Sequence, residues 1–385
     1  MTNTIIHVII DDKFIDMAIR EFEICAPGKS RYLGIKTNKP WKHIKSNKAE
    51  ALEASEIIST ANNPNCRAVI FHTLDDSIKP ILENITQKKN IVWIGWGYDY
   101  YDRLLKPYAT DGLTAPKTKK LIRDHPKKHP TSKVIKSKIT SFFQKNLLKN
   151  HPEKQSLLKI TIFSPVIEDE FNIAREYNKW FLAEYMPWNY GCIEDDFHST
   201  SDGTHTDDDN VIVGNSATPT NNHIEAFEHL ARTYQIDNKK IVVPLSYGDP
   251  WYRDRIIKIG EGFFGSNFIP VVDYMARNDY NKLLSGCSHA IMNHHRQQAL
   301  GNIVTLILNG SSVHLNTKNP LYSWLNRQGA KICPIITNTP SVRQPLPNLT
   351  AKESQTNRQI IEFNFSRRAQ REKTKRLCER LLSGD

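Results

Sequence analysis

Residues 287–310 read CSHAIMNHHRQQALGNIVTLILNG. A short apolar run ends at Met292, a polar centre follows, and a second apolar run fills Ile303–Leu308. The first run has the length of a buried strand, and the second that of a helix. Strand, polar loop and helix in succession form the repeating unit of an α/β fold.

The same grammar extends outward. Before it come "NVIVGNS" (210–216), a strand and turn, and "NHIEAFEHLARTY" (222–234), a helix. "KKIVVPLSYG" (239–248) reads as a strand, "DPWYRDRIIKIGEGFF" (249–264) as a helix, "FIPVVDYM" (268–275) as a strand and "RNDYNKLLSGC" (277–287) as a helix. "SSVHLN" (311–316) adds a strand after it. In the first half, Ile5–Ile10 is a strand candidate ending in Asp11-Asp12, "AEALEASEIISTA" (49–61) has helical spacing, and "RAVIFHTL" (67–74) is a strand. "SIKPILENI" (77–85) is a short helix, and "NIVWIGWGYDYYD" (90–102) a strand running into a polar loop. Alternation of this kind predicts parallel sheets with helices on their faces.

A chain of 385 residues is long for one domain, and two are expected. The predicted division is an N-terminal domain over 1–198, a polar, acidic linker over 199–210, a second domain over 211–345, and a tail over 346–385. In the linker, Asp207–Asp209 reads as a solvated charge run in preference to a metal site. The N-terminus reads as a first strand and not as a signal peptide. The six cysteines are scattered with no CxxC pair, the pattern of reduced thiols in the cytoplasm. No apolar run reaches the roughly 18 residues of a membrane span.

The net charge of +11 calls for an anionic partner: nucleic acid, a phosphorylated small molecule or an anionic membrane surface. Much of it lies in the segment 106–159. There Val134, Ile135, Ile139, Phe142, Phe143, Leu147 and Leu148 share one helical face, with Lys133, Lys136, Lys138, Lys145 and Lys149 over much of the rest. Such a helix suits an anionic membrane surface, and equally a domain surface that covers its apolar stripe. The second basic helix, within 366–382, reads as docked through Leu377, Leu381 and Leu382.

Ligands of open α/β sheets bind outside the carboxyl ends of the strands. Four loops of the second half stand there. Gly214, Asn215 and Ser216 form a turn, and the Asn222 region caps a helix start suited to an anion. Ser246, Tyr247 and Gly248 follow the next strand. Tyr274 reads equally as a base-stacking residue and as a core residue. Last comes the opening stretch, with Asn293, His295, Arg296, Gln297, Gln298, Gly301 and Asn302. Arg296 offers a fork for phosphate, and Gln297 and Gln298 add neutral donors. Gly301 lets backbone N–H groups approach an anion, so a diphosphate suits the loop. Adjacent His294 and His295 rarely converge on one metal, and no metal is expected. In the first half, Asp99, His72 and Asp11 stand beyond strand ends as candidate acceptor bases.

These residues carry a resemblance. "VGNS" with "NHIEAF", "VVPLSYG", "DYNKLLSGC", "RQQALGNIVTLIL" and "LNTKNPLYSWL", in that order, resemble glycosyltransferase family 56. "IGWGYDYY" and "VIFHTL" look like its first-half strand ends. The resemblance implies a GT-B fold: two Rossmann-like, doubly wound domains facing each other across a cleft, the C-terminal one holding the nucleotide sugar. It implies transfer of a deoxy-amino sugar, Fuc4NAc-like, from a dTDP-sugar to a polyprenyl-diphosphate-linked saccharide at the cytoplasmic face of a bacterial inner membrane, without a cofactor. The segment 106–159 and the linker depart from the common-antigen members of that family, leaving O-antigen and capsule pathways open. A GT-B-type sugar-nucleotide epimerase is the alternative. A basic nucleic-acid-binding protein is disfavoured, because no RRM, KH, zinc-finger or helix-turn-helix signature is present.

Overall fold

A computed structural model describes residues 4–109, 112–125, 152–197, 209–336 and 342–383. Two compact units emerge. The first comprises residues 1–110, 132–192 and 365–385, and the second 111–131 and 193–364.

The first unit is built on strands β1 (Thr4–Ile9), β2 (Ser30–Ile35), β3 (Ala49–Leu52), β4 (Cys66–Phe71), β5 (Asn90–Ile94), β6 (Ile162–Ser164) and β7 (Glu184–Tyr185). They lie in the order β3-β2-β1-β4-β5-β6-β7, every pair parallel. Parallel strands covered on both faces need apolar side chains throughout. Ile5, Ile6, Val8 and Ile9 of β1 and Ala68 to Phe71 of β4 are accordingly buried.

Residues 49–61, expected as one helix, divide in two. Ala49–Leu52 pairs with β2 as the edge strand, and a helix begins only at Ala54. The reason is local: Glu53 and Glu56 form a reciprocal capping box that fixes the helix start. Strands β2, β6 and β7 escaped sequence reading, since SRYLGI breaks its apolar run with polar residues and a Gly, and the others have three and two residues.

The second unit uses β8 (Asn210–Val213), β10 (Ile241–Pro244), β11 (Phe268–Val271), β12 (Cys287–Met292), β13 (Ser312–Asn316) and β14 (Cys333–Ile335), with a small pair of β9 (Tyr234–Gln235) and β15 (Gln344–Pro345). The main sheet runs β11-β10-β8-β12-β13-β14, all parallel. This is the doubly wound order in which the winding reverses between the first and fourth strands, here β8 and β12. The expected strand 268–275 stops at Val271.

The units are not the contiguous blocks read from the sequence. The helix Pro116–Arg123 groups with the second unit because the backbone N–H groups of Lys117 and Thr118 and the Thr118 hydroxyl all donate to Glu225. The helix Arg367–Leu382 returns to the first unit. Leu377, Cys378 and Leu381 are buried there among Ile5, Phe22 and Ile70, and the Trp188 indole donates to Thr374 Oγ1 at 3.0 Å. That is the docked arrangement expected of this helix. The basic stripe 133–149 and linker residues 198–208 lie outside the described residues. Asp209, at the linker's end, pairs with Lys239.

Leu377 is fully buried, so Leu377→Ala should cost about 2–5 kcal/mol, the range for deleting a packed Leu side chain. Urea unfolding followed by Trp188 fluorescence should show an earlier transition for the first unit.

Candidate functional site

The turns after β8, β10 and β12 meet at the switch point of the second sheet. The turn after β8 begins with Gly214 at φ +68°. A Cβ there would sit 2.7 Å from Asn221 Oδ1 and 2.8 Å from His223 Nε2, so only glycine fits. Asn221 Oδ1 accepts from Asn215 N and pairs with His294 Nε2, both at 2.8 Å. Its amide nitrogen faces the Ser216 carbonyl at 3.0 Å and Thr218 Oγ1 at 2.8 Å. The β10 turn is laced to the same loop. Ala217 N donates to the Tyr247 carbonyl at 2.7 Å, and Asp249 N to the Ala217 carbonyl at 2.9 Å. Gly248, at φ +121°, brings its Cα against this backbone, where a Cβ would lie 2.5 Å from the Ala217 carbonyl.

Two side chains span the loops. Gln298 Nε2 donates to Asn215 Oδ1 at 3.0 Å, and Gln298 Oε1 accepts from Thr220 at 2.8 Å. Asn215 Nδ2 donates to the Tyr247 hydroxyl at 2.7 Å. Asn215, Ser216, Tyr247 and Gln298 of the expected set are thus assembled in one network. Ser246 is half-buried between Leu245 and Tyr247. Asn293 is buried and accepts from Asn316 Nδ2 at 2.7 Å, which anchors the loop after β12 to the end of β13. His295 and Arg296 are half-buried, Gln297 is buried, and Arg296 donates to the Gln297 carbonyl at 3.2 Å.

Three expectations change. Asn222 occupies the position before the helix His223–Thr233 but does not cap it; its side chain accepts from Ala115 N at 2.7 Å and donates to the Asn293 carbonyl at 3.0 Å. Gly301 is the second residue of the helix Leu300–Leu308, in its first turn, and a Cβ there would lie 3.3 Å from the Phe197 ring. Asn302 donates to the Tyr280 hydroxyl at 2.8 Å, joining two helices. Tyr274 is 90% exposed, which removes the core reading and leaves its ring open to solvent. Sequence reading missed Asn221 and His223; the Asn-Asn-His run before a helix was the available signal.

In the first unit the three expected bases are engaged. Asp99 is buried, and its Oδ2 accepts from the Trp93 indole at 2.8 Å, Leu74 N at 3.1 Å and the Thr73 hydroxyl at 3.1 Å, while Oδ1 accepts from Trp96 N at 2.9 Å. Burial raises its pKa, and these donors oppose the rise. With three donors on Oδ2 and one on Oδ1, this carboxylate fastens the WGYDYY turn. His72 pairs with His7 at 2.8 Å and with the Tyr190 hydroxyl at 2.7 Å. Asp11 accepts from the backbone N–H groups of Lys42, His43 and Ile44 at 2.6, 2.9 and 3.1 Å. Burial pushes its carboxyl up, but these three bonds and His43 hold it below the usual range.

Residues 188–367 match the model of a family described as 4-alpha-L-fucosyltransferase, glycosyl transferase group 56. Over that span the chain is similar to family 56. The stretches IGWGYDYY and VIFHTL lie outside the match. Among solved structures, sucrose-phosphate synthase from Thermosynechococcus elongatus aligns with TM-score 0.63 at 10% identity, covering 100% of both chains. The trehalose-6-phosphate phosphatase N-terminal domain of Candida albicans aligns with TM-score 0.62 at 11% identity, covering 100% of this chain and 97% of its own. Anabaena HepE, solved with UDP-glucose, aligns with TM-score 0.60 at 11% identity, covering 98% and 99%. The fold is GT-B. The family match and the fold together support a nucleotide-sugar-dependent glycosyltransferase.

Both units bury neutral imidazoles. Burial lowers His72, His223 and His314 to about 3, and His7 and His294 well below their ordinary value. The unfolded chain therefore binds more protons than the folded one. The histidine contribution to stability is complete above about 6.5 and is lost as pH falls toward about 3. Each such histidine contributes a slope of up to about 1.4 kcal/mol per pH unit within that window. Guanidinium unfolding midpoints should fall between pH 7 and pH 5; flat midpoints would show these imidazoles are not held neutral.

Proposed function

We propose that the chain transfers a deoxy-amino sugar, Fuc4NAc-like, from a dTDP-sugar to a polyprenyl-diphosphate-linked saccharide. The second unit binds the donor, and the first unit serves the acceptor. The observation that carries this is the Gln298–Asn215 bond at 3.0 Å, which ties the Arg296–Gln298 loop to the Gly214 turn at the switch point of a doubly wound sheet. There Arg296, with the hydroxyls and amides around it, stabilises the departing diphosphate electrostatically. Tyr247 and Tyr274 offer ring faces to the nucleoside. The UDP-glucose complex of HepE shows that a protein of this fold takes a nucleotide sugar. The family match favours a deoxy sugar of the fucose type.

Melting curves with dTDP, UDP, GDP and CMP test the donor class, and dTDP should give the largest rise. Arg296→Ala should weaken dTDP binding by about 1.5–3 kcal/mol, the value of a hydrogen bond to a charged group. Unchanged affinity by calorimetry in the folded variant removes the diphosphate from this loop.

The proposal places the enzyme at the cytoplasmic face of a bacterial inner membrane, supported by the net charge of +11 and the basic stripe 133–149. Among the described residues no helix is long and apolar enough to cross a membrane. Binding to vesicles should require anionic lipid and weaken with salt, as screening shortens the reach of the lysines. Phe142→Ser with Phe143→Ser should release the protein from vesicles while dTDP affinity holds.

A further inference from the structure

The amino edge of the first sheet carries a cavity that the proposed sugar transfer does not use. It lies where β4 and β5 begin, at Cys66 and Asn90, beside the end of the helix Arg367–Leu382, and its volume is about 210 Å³. Asp11, His72 and Asp99 stand at the opposite, carboxyl edge of that sheet. Every residue that lines the cavity belongs to the first unit. No Asp or Glu is among them, and three are cations: Arg67, Lys88 and Lys89.

The chain ties the walls of this cavity to each other. Lys89 Nζ donates to the carbonyls of Ala61, Asn63 and Cys66 at 2.5, 3.3 and 3.0 Å, which pins the loop before β4 to the start of β5. Asn62 returns the link: its Oδ1 accepts from Thr86 N at 2.8 Å and Gln87 N at 3.3 Å, and its Nδ2 donates to the Asn84 carbonyl at 2.9 Å. Three carbonyls occupy the Lys89 donors but leave its charge. Other cations of this unit pair with carboxylates: Arg31 with Glu50, Lys48 with Glu23, and Arg103 with Asp76 and Glu153. Among the described residues, Arg67 and Lys88 have no such partner, and the side-chain amides of Gln87 and Asn90 make no hydrogen bond. Two unpaired cations and two unused amides thus line one cavity with a third, fixed cation.

We infer that this cavity binds the phosphate group of a small phosphate monoester. Arg67 supplies a planar fork that suits phosphate oxygens, Lys88 and Lys89 supply point charges, and Gln87 and Asn90 add neutral N–H donors. A phosphate monoester carries roughly −1.5 to −2 charges near pH 7, which offsets most of the three positive charges; a single carboxylate would leave about two of them unopposed. The volume lies below the roughly 300–1,000 Å³ of pockets that take drug-sized ligands. It is too small for a nucleotide sugar and suits a phosphate with a short alcohol. Two sources share this chemistry: a soluble phosphate ester, and the headgroup of phosphatidic acid in a bilayer.

Calorimetric titration of the full chain with inorganic phosphate, at an ionic strength held constant with chloride, tests the site. Wild type should bind. Arg67→Ala with Lys88→Ala should weaken binding by roughly tenfold or more, the factor for losing a hydrogen bond to a charged group. Lys39→Ala with Lys42→Ala removes the same formal charge from exposed positions elsewhere on the unit and should leave phosphate affinity unchanged. Gln87→Glu puts a carboxylate into the lining without shortening a side chain and should abolish binding; it decides if the first double variant does not fold. Sedimentation with phosphatidylcholine vesicles, with and without phosphatidic acid, separates the sources. Binding to phosphatidic acid that Gln87→Glu weakens assigns the lipid headgroup, and phosphate binding by a protein whose vesicle binding Gln87→Glu leaves unchanged assigns a soluble ester. No phosphate binding by wild type, unchanged affinity in Gln87→Glu, or equal losses in the two double variants overturns the site.

Discussion

The second unit turns on one side-chain amide. Asn221, buried and pinned at both ends, holds the backbone of the β8 turn with its nitrogen and the start of that turn and His294 with its oxygen. A parallel sheet brings its strand ends together but gives the loops beyond them no ladder of their own. Here the amide supplies that ladder, and Gly214 leaves the space it needs. The loop around Arg296 is then fixed relative to the Gly214 turn before any ligand arrives. Pre-arranged dipoles and charges are what stabilise a departing anion, because they need no reorganisation at the moment of reaction.

The first unit solves a similar problem with a charge. The turn after β5 must reverse within the WGYDYY run, and the Asp99 carboxylate gathers the Trp93 indole, two backbone N–H groups and a hydroxyl to hold it. A buried polar group is expensive unless it is hydrogen-bonded, and four donors meet this carboxyl. The turn these bonds hold carries the rings of Trp96 and Tyr98.

The division of the chain follows from packing in the same way. Helices near residue 120 and after residue 365 each complete the surface of a unit from which they are distant in sequence. Glu225 draws in the first through three donors, and Leu377 and Leu381 draw in the second by burial. Local periodicity shows that the second helix docks but not onto which unit, and it carries no mark of the first, so contiguous blocks were the natural expectation.

By itself the sequence determined the α/β class, the alternation of the second half, the loops beyond its strands and the docked C-terminal helix. Period and patterning carry that information, because burial of a strand or a helix face is decided residue by residue along the chain. The family resemblance was also legible, in an ordered set of strand ends and helices. What only the tertiary structure decided was which polar side chains are spent inside the fold. Asp11 and Asp12 are neighbours with the same chemistry, and local pattern cannot rank them. The backbone of residues 42–44, supplied by another part of the chain, takes the first and leaves the second. Asn222 and Asp99 likewise meet partners that the sequence does not place beside them.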